Sequence, residues 1–299
     1  MDFKKIGGTL MSDLREILDT AALNATIGYN GKVGLLLSGG MDSLSVLLAC
    51  LDIGIKPTCY TFHLKGVISE DLQSCRKICN IFDVPLVEIP ISFTSESMYK
   101  LSKEIIYDNI ESVYFKNHIK TCVQCQALMS FVPQYVKEGV VLSGLNADDL
   151  CFNTRLYGKM SANKTLSGIR KLNETRYIDT HNDYRGSYKF FVDMFAKYNI
   201  RFVDIYRDDQ VREHFYGLSY KQCTSPKPKY PIYIAFRQEF DTWDLLRKPS
   251  SFQVNSGTRE LFEELLTNNP KINVNKHKTC VGILNDIWRE CERDGGKFR

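Results

Sequence analysis

The feature that most constrains this chain is a short apolar run at 33–37 that is followed at once by Ser38-Gly39-Gly40-Met41-Asp42-Ser43. A continuous apolar run of this length predicts a strand buried on both faces of a sheet. Leucines then recur at helical spacing between residues 44 and 51, which predicts a helix over 43–53. A strand, a glycine turn and a helix in this order are typical of phosphate-binding sites in α/β proteins.

The alternation of strands and helices continues to about residue 155. Three further strands are predicted, at 58–62, 85–89 and 139–143. Because such an alternation produces a parallel sheet with helices on both faces, we predict an α/β fold with a doubly wound, Rossmann-like parallel sheet and a helical C-terminal extension. The predicted regions are an N-terminal helical segment (1–31), a nucleotide-binding α/β domain (32–157) and a mostly helical extension that completes the site (158–299).

Composition narrows the class of protein. The formal charge of +4 is mild, so it neither requires nor excludes a nucleic-acid substrate. No apolar run is long enough to span a membrane, and the first residues lack the apolar core of a signal peptide. The ten cysteines are therefore expected to be thiols in a reducing compartment, and we expect a cytoplasmic protein.

The loop at 38–43 offers the groups that bind a phosphate. Gly39 and Gly40 allow a tight turn and a close approach of the backbone to a ligand. Ser38 and Ser43 supply hydroxyls, and the helix that follows directs its first N–H groups at the loop. Asp42 would repel phosphate directly, so its predicted role is to hold Mg²⁺. A turn in which Asp42 only caps the helix is the structural alternative.

A second loop of the same kind is predicted after the strand at 139–143, and its sequence is Ser143-Gly144-Leu145-Asn146-Ala147-Asp148-Asp149. Ligands of parallel α/β sheets bind outside the carboxyl ends of the strands, so both loops should flank one crevice. Asp42 and Asp148 could then share Mg²⁺ on a departing pyrophosphate, with Asp149 as a weaker candidate. The structural alternative is that the acids only favour the helix dipole.

The SGG-x-DS motif resembles the signature of the PP-loop ATP pyrophosphatases, whose members bind ATP and release pyrophosphate. From residue 32 to about 266 the chain looks most like the synthetase domain of asparagine synthetases, on VGLLLSGGMDS, TCYTFHLKG, GVVLSGLNADDLCFNTRLY and RKPSSFQVNSG. The resemblance implies ATP contacts at Leu37, Ser38, Gly39, Gly40, Met41, Asp42, Ser43, Thr61, Phe62, Ser143 and Gly144. It implies catalytic roles for Asp42, Asp148, Arg247 and Lys248, with Mg²⁺ on Asp42 and Asp148.

The implied reaction is adenylation of a small-molecule carboxylate, followed by amide formation with ammonia or an amine. Asp2 stands where an N-terminal glutaminase would expose a cysteine, so a nitrogen-donating glutaminase would be a separate partner. Arg247 and Lys248 are candidates for holding pyrophosphate, with Lys227 and Lys229 as their rivals, and a solvated basic turn is the structural alternative for each. Arg155 is a candidate for facing a phosphate or a carboxylate. Leu145 departs from the family pattern, because asparagine synthetases carry Glu there, and leucine cannot perform acid–base chemistry.

Besides other PP-loop reactions, such as nitrile or amide formation on a modified base, two alternative functions stay open. Enzymes that insert sulfur into tRNA also use SGG-x-DS together with a CxxC motif, and this chain has Cys122 and Cys125. With a third cysteine such as Cys223, these residues would hold an iron–sulfur cluster or a persulfide, although buried thiols on a helix would give the same pattern. A nucleotide sensor without turnover is the other alternative, and Leu145 is the residue that favours it.

Overall fold

Five parallel strands form the centre of the molecule. The structure is a computed structural model and describes residues 13–153, 155–162, 165–183, 187–246, 258–269 and 279–294. The strands are β1 (Gly34–Leu36), β2 (Thr58–Leu64), β3 (Leu86–Ile91), β4 (Val140–Ser143) and β5 (Arg201–Asp204). They lie in the order β3-β2-β1-β4-β5, and each neighbouring pair is parallel. The predicted α/β fold with a parallel sheet is confirmed.

Helices separate the strands in the first half of the chain. They are α1 (Leu14–Thr26), α2 (Met41–Asp52), α3 (Glu70–Phe82), α4 (Ser95–Asp108), α5 (Val113–Asn117) and α6 (Ile119–Met129). Side-chain caps stabilise two helix starts, because Ser69 accepts a backbone N–H of α3 and Thr94 forms a capping box with Ser97 of α4. A 3₁₀ turn at Pro133–Tyr135 follows α6 and leads into β4.

The second half of the chain is mostly helical, as predicted. Its helices are α7 (Ala147–Leu150), α8 (Arg155–Met160), α9 (Leu166–His181), α10 (Tyr188–Ala196), α11 (Asp209–Tyr216), α12 (Tyr220–Thr224), α13 (Tyr230–Ala235), α14 (Arg237–Thr242), α15 (Thr258–Thr267) and α16 (Cys280–Arg293). The exception is β5, which the sequence analysis missed and which pairs with β4. Among the described helices, none is long and apolar enough to cross a membrane.

Apolar residues cover both faces of the sheet, because successive side chains of a strand point to opposite sides. Leu35 and Leu142 face a cluster that includes α1 and α2. Tyr60, Val141 and Phe202 lie in a second cluster with residues of α10. A third cluster joins α4, α6, α15 and α16 away from the strands. Helices on both faces leave the carboxyl ends of the strands as the natural position for a ligand.

Candidate functional site

The carboxyl ends of β1 and β4 lie side by side where the strand order changes direction. β2 and β3 lie on one side of β1, and β4 and β5 lie on the other side. In open parallel sheets, ligands bind in the crevice at such a switch point. The loop at 38–43 follows β1, and the loop at 143–149 starts at the end of β4. The structure therefore brings together the two loops that the sequence singled out.

The loop at 38–43 is held by its own serines. The backbone N–H of Ser38 donates to Ser43 Oγ at 3.1 Å, and Ser43 Oγ donates to the Gly40 carbonyl at 3.2 Å. Gly39 has a φ of 71°, and a Cβ on it would lie 2.5 Å from Ser74 Cβ, so only glycine fits this turn. Gly40 has no side chain to cap α2. The first N–H groups of α2 can thus serve a bound anion.

The second loop touches the first through backbone atoms. A Cβ added to Gly144 would lie 2.6 Å from the carbonyl oxygen of Asp42 and 3.1 Å from the nitrogen of Ser43. These distances are too short for any side chain. Glycine is therefore required at 144 for the loops to approach each other, which explains a residue that the sequence had assigned only to ATP contact.

We expect Gly144→Ala to lower the free energy of unfolding by about 1–3 kcal/mol, because the new methyl group would force the two loops apart. Gly158→Ala is the matched control, since a Cβ on this α8 residue meets nothing within 4 Å and should leave stability unchanged or slightly higher. Urea denaturation measures both variants. If Gly144→Ala had the same free energy of unfolding as the wild type, the close contact between the loops would be contradicted.

Lys229 joins the carboxylates of the two loops. Its Nζ lies 2.7 Å from Asp42 Oδ1 and 2.5 Å from Asp42 Oδ2. The same Nζ lies 2.7 Å from Asp148 Oδ1, and the Lys229 side chain is only 13% exposed. Lys229 immediately precedes α13, so a segment from the helical second half completes the site. The sequence predicts this lysine as one of four basic residues that could hold pyrophosphate.

The charge of Lys229 is stabilised where it lies. Burial alone would lower the pKa of the ammonium, but Asp42 and Asp148 outweigh that effect and raise the pKa above its ordinary value. The two carboxylates thus converge on a cation. Carboxylate oxygens are also the donors that Mg²⁺ prefers, and Mg²⁺ completes its coordination with water and substrate phosphates. The donors fit Mg²⁺ on these grounds, although the described residues contain no group of three or more His, Cys, Asp or Glu placed to hold a metal.

Asp204 holds the backbone of the second loop by a hydrogen bond. Its carboxylate accepts the Asn146 N–H at 3.0 Å and the Tyr206 N–H at 3.2 Å. The Tyr206 hydroxyl in turn lies 2.7 Å from Ser45 Oγ on α2. Burial raises the pKa of Asp204 from 3.8 to about 7. Sequence reasoning missed this residue because it missed β5, at whose end the aspartate lies.

Protonation of Asp204 is expected to make folding stability depend on pH. Its pKa is higher in the folded state than in the unfolded chain, so the stabilising proton is fully present below about pH 4 and is lost as pH rises through about 7. We expect the wild type to lose about 2–3 kcal/mol more than Asp204→Asn between pH 5 and pH 8. Urea denaturation at both pH values measures this difference. Equal pH slopes would show that Asp204 is not the titrating group.

The other predicted nucleotide contacts divide between the two faces of the sheet. Leu37 and Thr61 lie together, because Cys75 Sγ donates to the Leu37 carbonyl at 3.2 Å and to Thr61 Oγ1 at 3.5 Å. Phe62 and Leu145 pack against the cluster that contains α10. Leu145 therefore contacts apolar side chains. Two further predicted contacts are Met41 and Ser143. Met41 packs against the cluster that includes α1 and α2, and Ser143 is buried at the end of β4.

Of the other basic residues that the sequence singled out, the structure describes the side chain of Lys227 alone. Arg247 and Lys248 fall outside the described residues, as does the side chain of Arg155. The Nζ of Lys227, which the sequence proposed together with Lys229, lies 3.2 Å from the centre of the Tyr233 ring. The structure thus separates two lysines that the sequence could not distinguish.

The cysteines are spread over the molecule. All ten lie in described residues and are thiols, as predicted. Cys122 belongs to the α4–α6–α15–α16 cluster, Cys125 packs against the α10 cluster, and Cys223 belongs to the cluster of α1 and α2. Cys122 and Cys125 are one turn apart on α6, and among the described residues no group of three or more His, Cys, Asp or Glu, these cysteines included, is placed to hold a metal.

The chain was also compared with known proteins. No protein-family model matches it, and no curated protein sequence matches it.

Proposed function

We propose that this protein is an ATP-dependent enzyme that forms AMP and pyrophosphate, a PP-loop ATP pyrophosphatase of the asparagine-synthetase type that adenylates a substrate carboxylate for amide formation. One observation carries the proposal. Two glycine loops after adjacent parallel strands touch through Gly144, and they direct Asp42 and Asp148 at one cation, the Lys229 ammonium. Such an arrangement suits a polyphosphate bound with a divalent cation.

The loop at 38–43 supports binding of the pyrophosphate part of ATP. Its backbone turns tightly at Gly39, its serine hydroxyls are held in place, and it opens onto the amino end of α2. Backbone N–H groups and the helix dipole favour an anion at this position. Ser38 and Ser43 would therefore keep the loop in a shape that accepts phosphate oxygens.

Asp42 and Asp148 would hold Mg²⁺. When bound there, the metal would neutralise charge on the departing pyrophosphate. Lys229 lies beside the same carboxylates and supplies a further positive charge near the phosphates. Asp204 would fix the second loop through the Asn146 N–H, so that Asp148 keeps its position during the reaction.

In the proposed reaction an oxygen of the substrate carboxylate attacks the α-phosphorus of ATP. The bond from the α-phosphorus to the bridging oxygen breaks, and pyrophosphate leaves with the electron pair. The nitrogen of ammonia or an amine then attacks the acyl carbon, AMP leaves with the C–O electron pair, and the nitrogen loses a proton to water. The chain's contribution is positioning and charge stabilisation, as in phosphoryl transfer generally.

Leu145 indicates which carboxylate substrate the protein would adenylate. Leucine has no carboxylate, so this residue cannot supply the acid–base group of the asparagine synthetases that the loop resembles, and its side chain packs against apolar residues instead. We therefore propose an acceptor carboxylate other than aspartate as the first candidate. The nitrogen would come from free ammonia, an amine substrate or a separate glutaminase.

The test incubates the purified protein with Mg·ATP, ammonium and a panel of amino acids and other carboxylates. We expect AMP and pyrophosphate in equal amounts with at least one acceptor, measured by chromatography of the nucleotides and a coupled pyrophosphate assay. Formation of ADP would contradict the proposal. Tight ATP binding with no turnover across the panel would favour a nucleotide sensor.

A further inference from the structure

We propose that Lys229 occupies the metal site of the nucleotide-free protein, so that a divalent cation binds to Asp42 and Asp148 only together with ATP. The inference rests on the proposed function of the two loops as an ATP·Mg²⁺ site. It adds an order of binding, in which the protein's own ammonium is exchanged for the metal when the nucleotide arrives.

The geometry makes the two cations mutually exclusive. The Lys229 Nζ lies 2.7 Å from Asp42 Oδ1 and 2.7 Å from Asp148 Oδ1. A magnesium ion bridging these two oxygens would lie about 2.0–2.1 Å from each of them. That position falls in the volume that the ammonium occupies. The metal can therefore bridge the carboxylates only after the Lys229 side chain has moved.

The charges at the site favour Lys229 on the carboxylates before ATP binds and the metal ion there afterwards. With Lys229 in place the three side chains carry a net charge of −1, from two carboxylates and one ammonium, and a metal ion approaching them would be repelled by the ammonium at close range. ATP brings several negative charges to the neighbouring loop. These charges attract the ammonium away from the carboxylates at the same time as they bring in the metal. Nucleotide and metal should then each increase the affinity of the protein for the other.

The surroundings of the three residues allow such an exchange. Lysine has a flexible four-carbon stem and a compact charge, so its ammonium can change partners without a shift of the backbone. Asp148 Oδ1 also accepts the Asn153 Nδ2–H at 2.7 Å, so this carboxylate keeps a hydrogen bond when the ammonium leaves. Asp42 stays fixed on α2, whose start is in backbone contact with Gly144.

The test measures metal binding without turnover. Mn²⁺ is titrated into nucleotide-free protein and followed by electron paramagnetic resonance, with wild type, Lys229→Met and the matched control Lys227→Met, whose ammonium lies over the Tyr233 ring. We expect Lys229→Met alone to bind one Mn²⁺, at least about tenfold more tightly than wild type and the control. Adding Asp148→Asn to Lys229→Met should remove the gained site. Equal Mn²⁺ binding by wild type and Lys229→Met would overturn the proposal.

A second arm adds α,β-methylene ATP to the wild type. We expect one Mn²⁺ to bind in its presence, and failure to recruit the metal would overturn the exchange. If Lys229→Met folds poorly without metal, thermal unfolding with and without millimolar Mg²⁺ decides the matter, because only this variant should be stabilised by Mg²⁺ alone; no stabilisation would again overturn the proposal. Absence of AMP and pyrophosphate formation would reject the proposed function, whereas the nucleotide-free comparison tests Lys229 independently of turnover.

Discussion

Asp42→Asn is expected to lower the rate of ATP-dependent pyrophosphate release by about a thousandfold. The amide keeps the shape of the side chain and still offers an oxygen to Lys229, so the fold should be preserved. It removes one of the two negative charges that would hold Mg²⁺ on the pyrophosphate. The measurement is the initial rate of pyrophosphate release at saturating Mg·ATP, with the acceptor that gives the highest turnover.

The matched control is Asp83→Asn at the opposite edge of the sheet. Asp83 precedes β3, pairs with Lys56 and has a φ of 51°, a conformation that asparagine adopts as readily as aspartate. This variant should keep the wild-type rate. If Asp42→Asn retained more than about a tenth of that rate, Asp42 could not be a metal ligand in the reaction.

The sequence predicted the two loops well because each follows a strong signal. The continuously apolar run at 33–37 identified β1, and Val140, Val141 and Leu142 identified β4. Parallel strands end at the same edge of a sheet, and so the adjacency of Asp42 and Asp148 could be inferred before the structure was known. The structure adds the backbone contact at Gly144, which no residue pattern specifies.

Lys229 and Asp204 show where the sequence stops being informative. The segment that carries Lys227 and Lys229 lies 187 positions from Asp42, and only the tertiary packing of α13 decides which lysine reaches the carboxylates. Asp204 ends a strand of four residues in which Phe202 and Asp204 itself are the buried positions. A buried acid in so short a strand resembles a polar turn in sequence.

Arg176 is, after Asp204, a second residue that the sequence analysis missed, although a signal was present. Gly168, Leu172, Arg176 and Thr180 recur every four residues on α9, and all four are buried. A stripe at this spacing marks the buried face of a helix, even when one of its members is charged. A buried arginine in such a stripe indicates that nearby backbone carbonyls accept hydrogen bonds from its guanidinium.

We expect Arg176→Ala to lower the free energy of unfolding by about 3–5 kcal/mol. The guanidinium donates to the Phe215 carbonyl at 2.9 Å and to the Leu218 carbonyl at 3.3 Å, and it lies 4.1 Å from the centre of the Phe152 ring. Alanine would leave a cavity among these groups and would leave the carbonyls without their donor. Urea denaturation of the variant measures the loss.

Two further variants separate the causes of that loss. Arg170→Ala removes an exposed arginine from the same helix and should change stability by no more than about 0.5 kcal/mol. Arg176→Met fills much of the volume without hydrogen bonds, so its stability should lie between those of wild type and Arg176→Ala. Because Arg176 also donates to the Leu150 carbonyl at 3.5 Å, it braces α7, which carries Asp148. Arg176→Ala should therefore weaken Mg·ATP binding as well as stability, and unchanged nucleotide affinity would show that Asp148 is positioned without it.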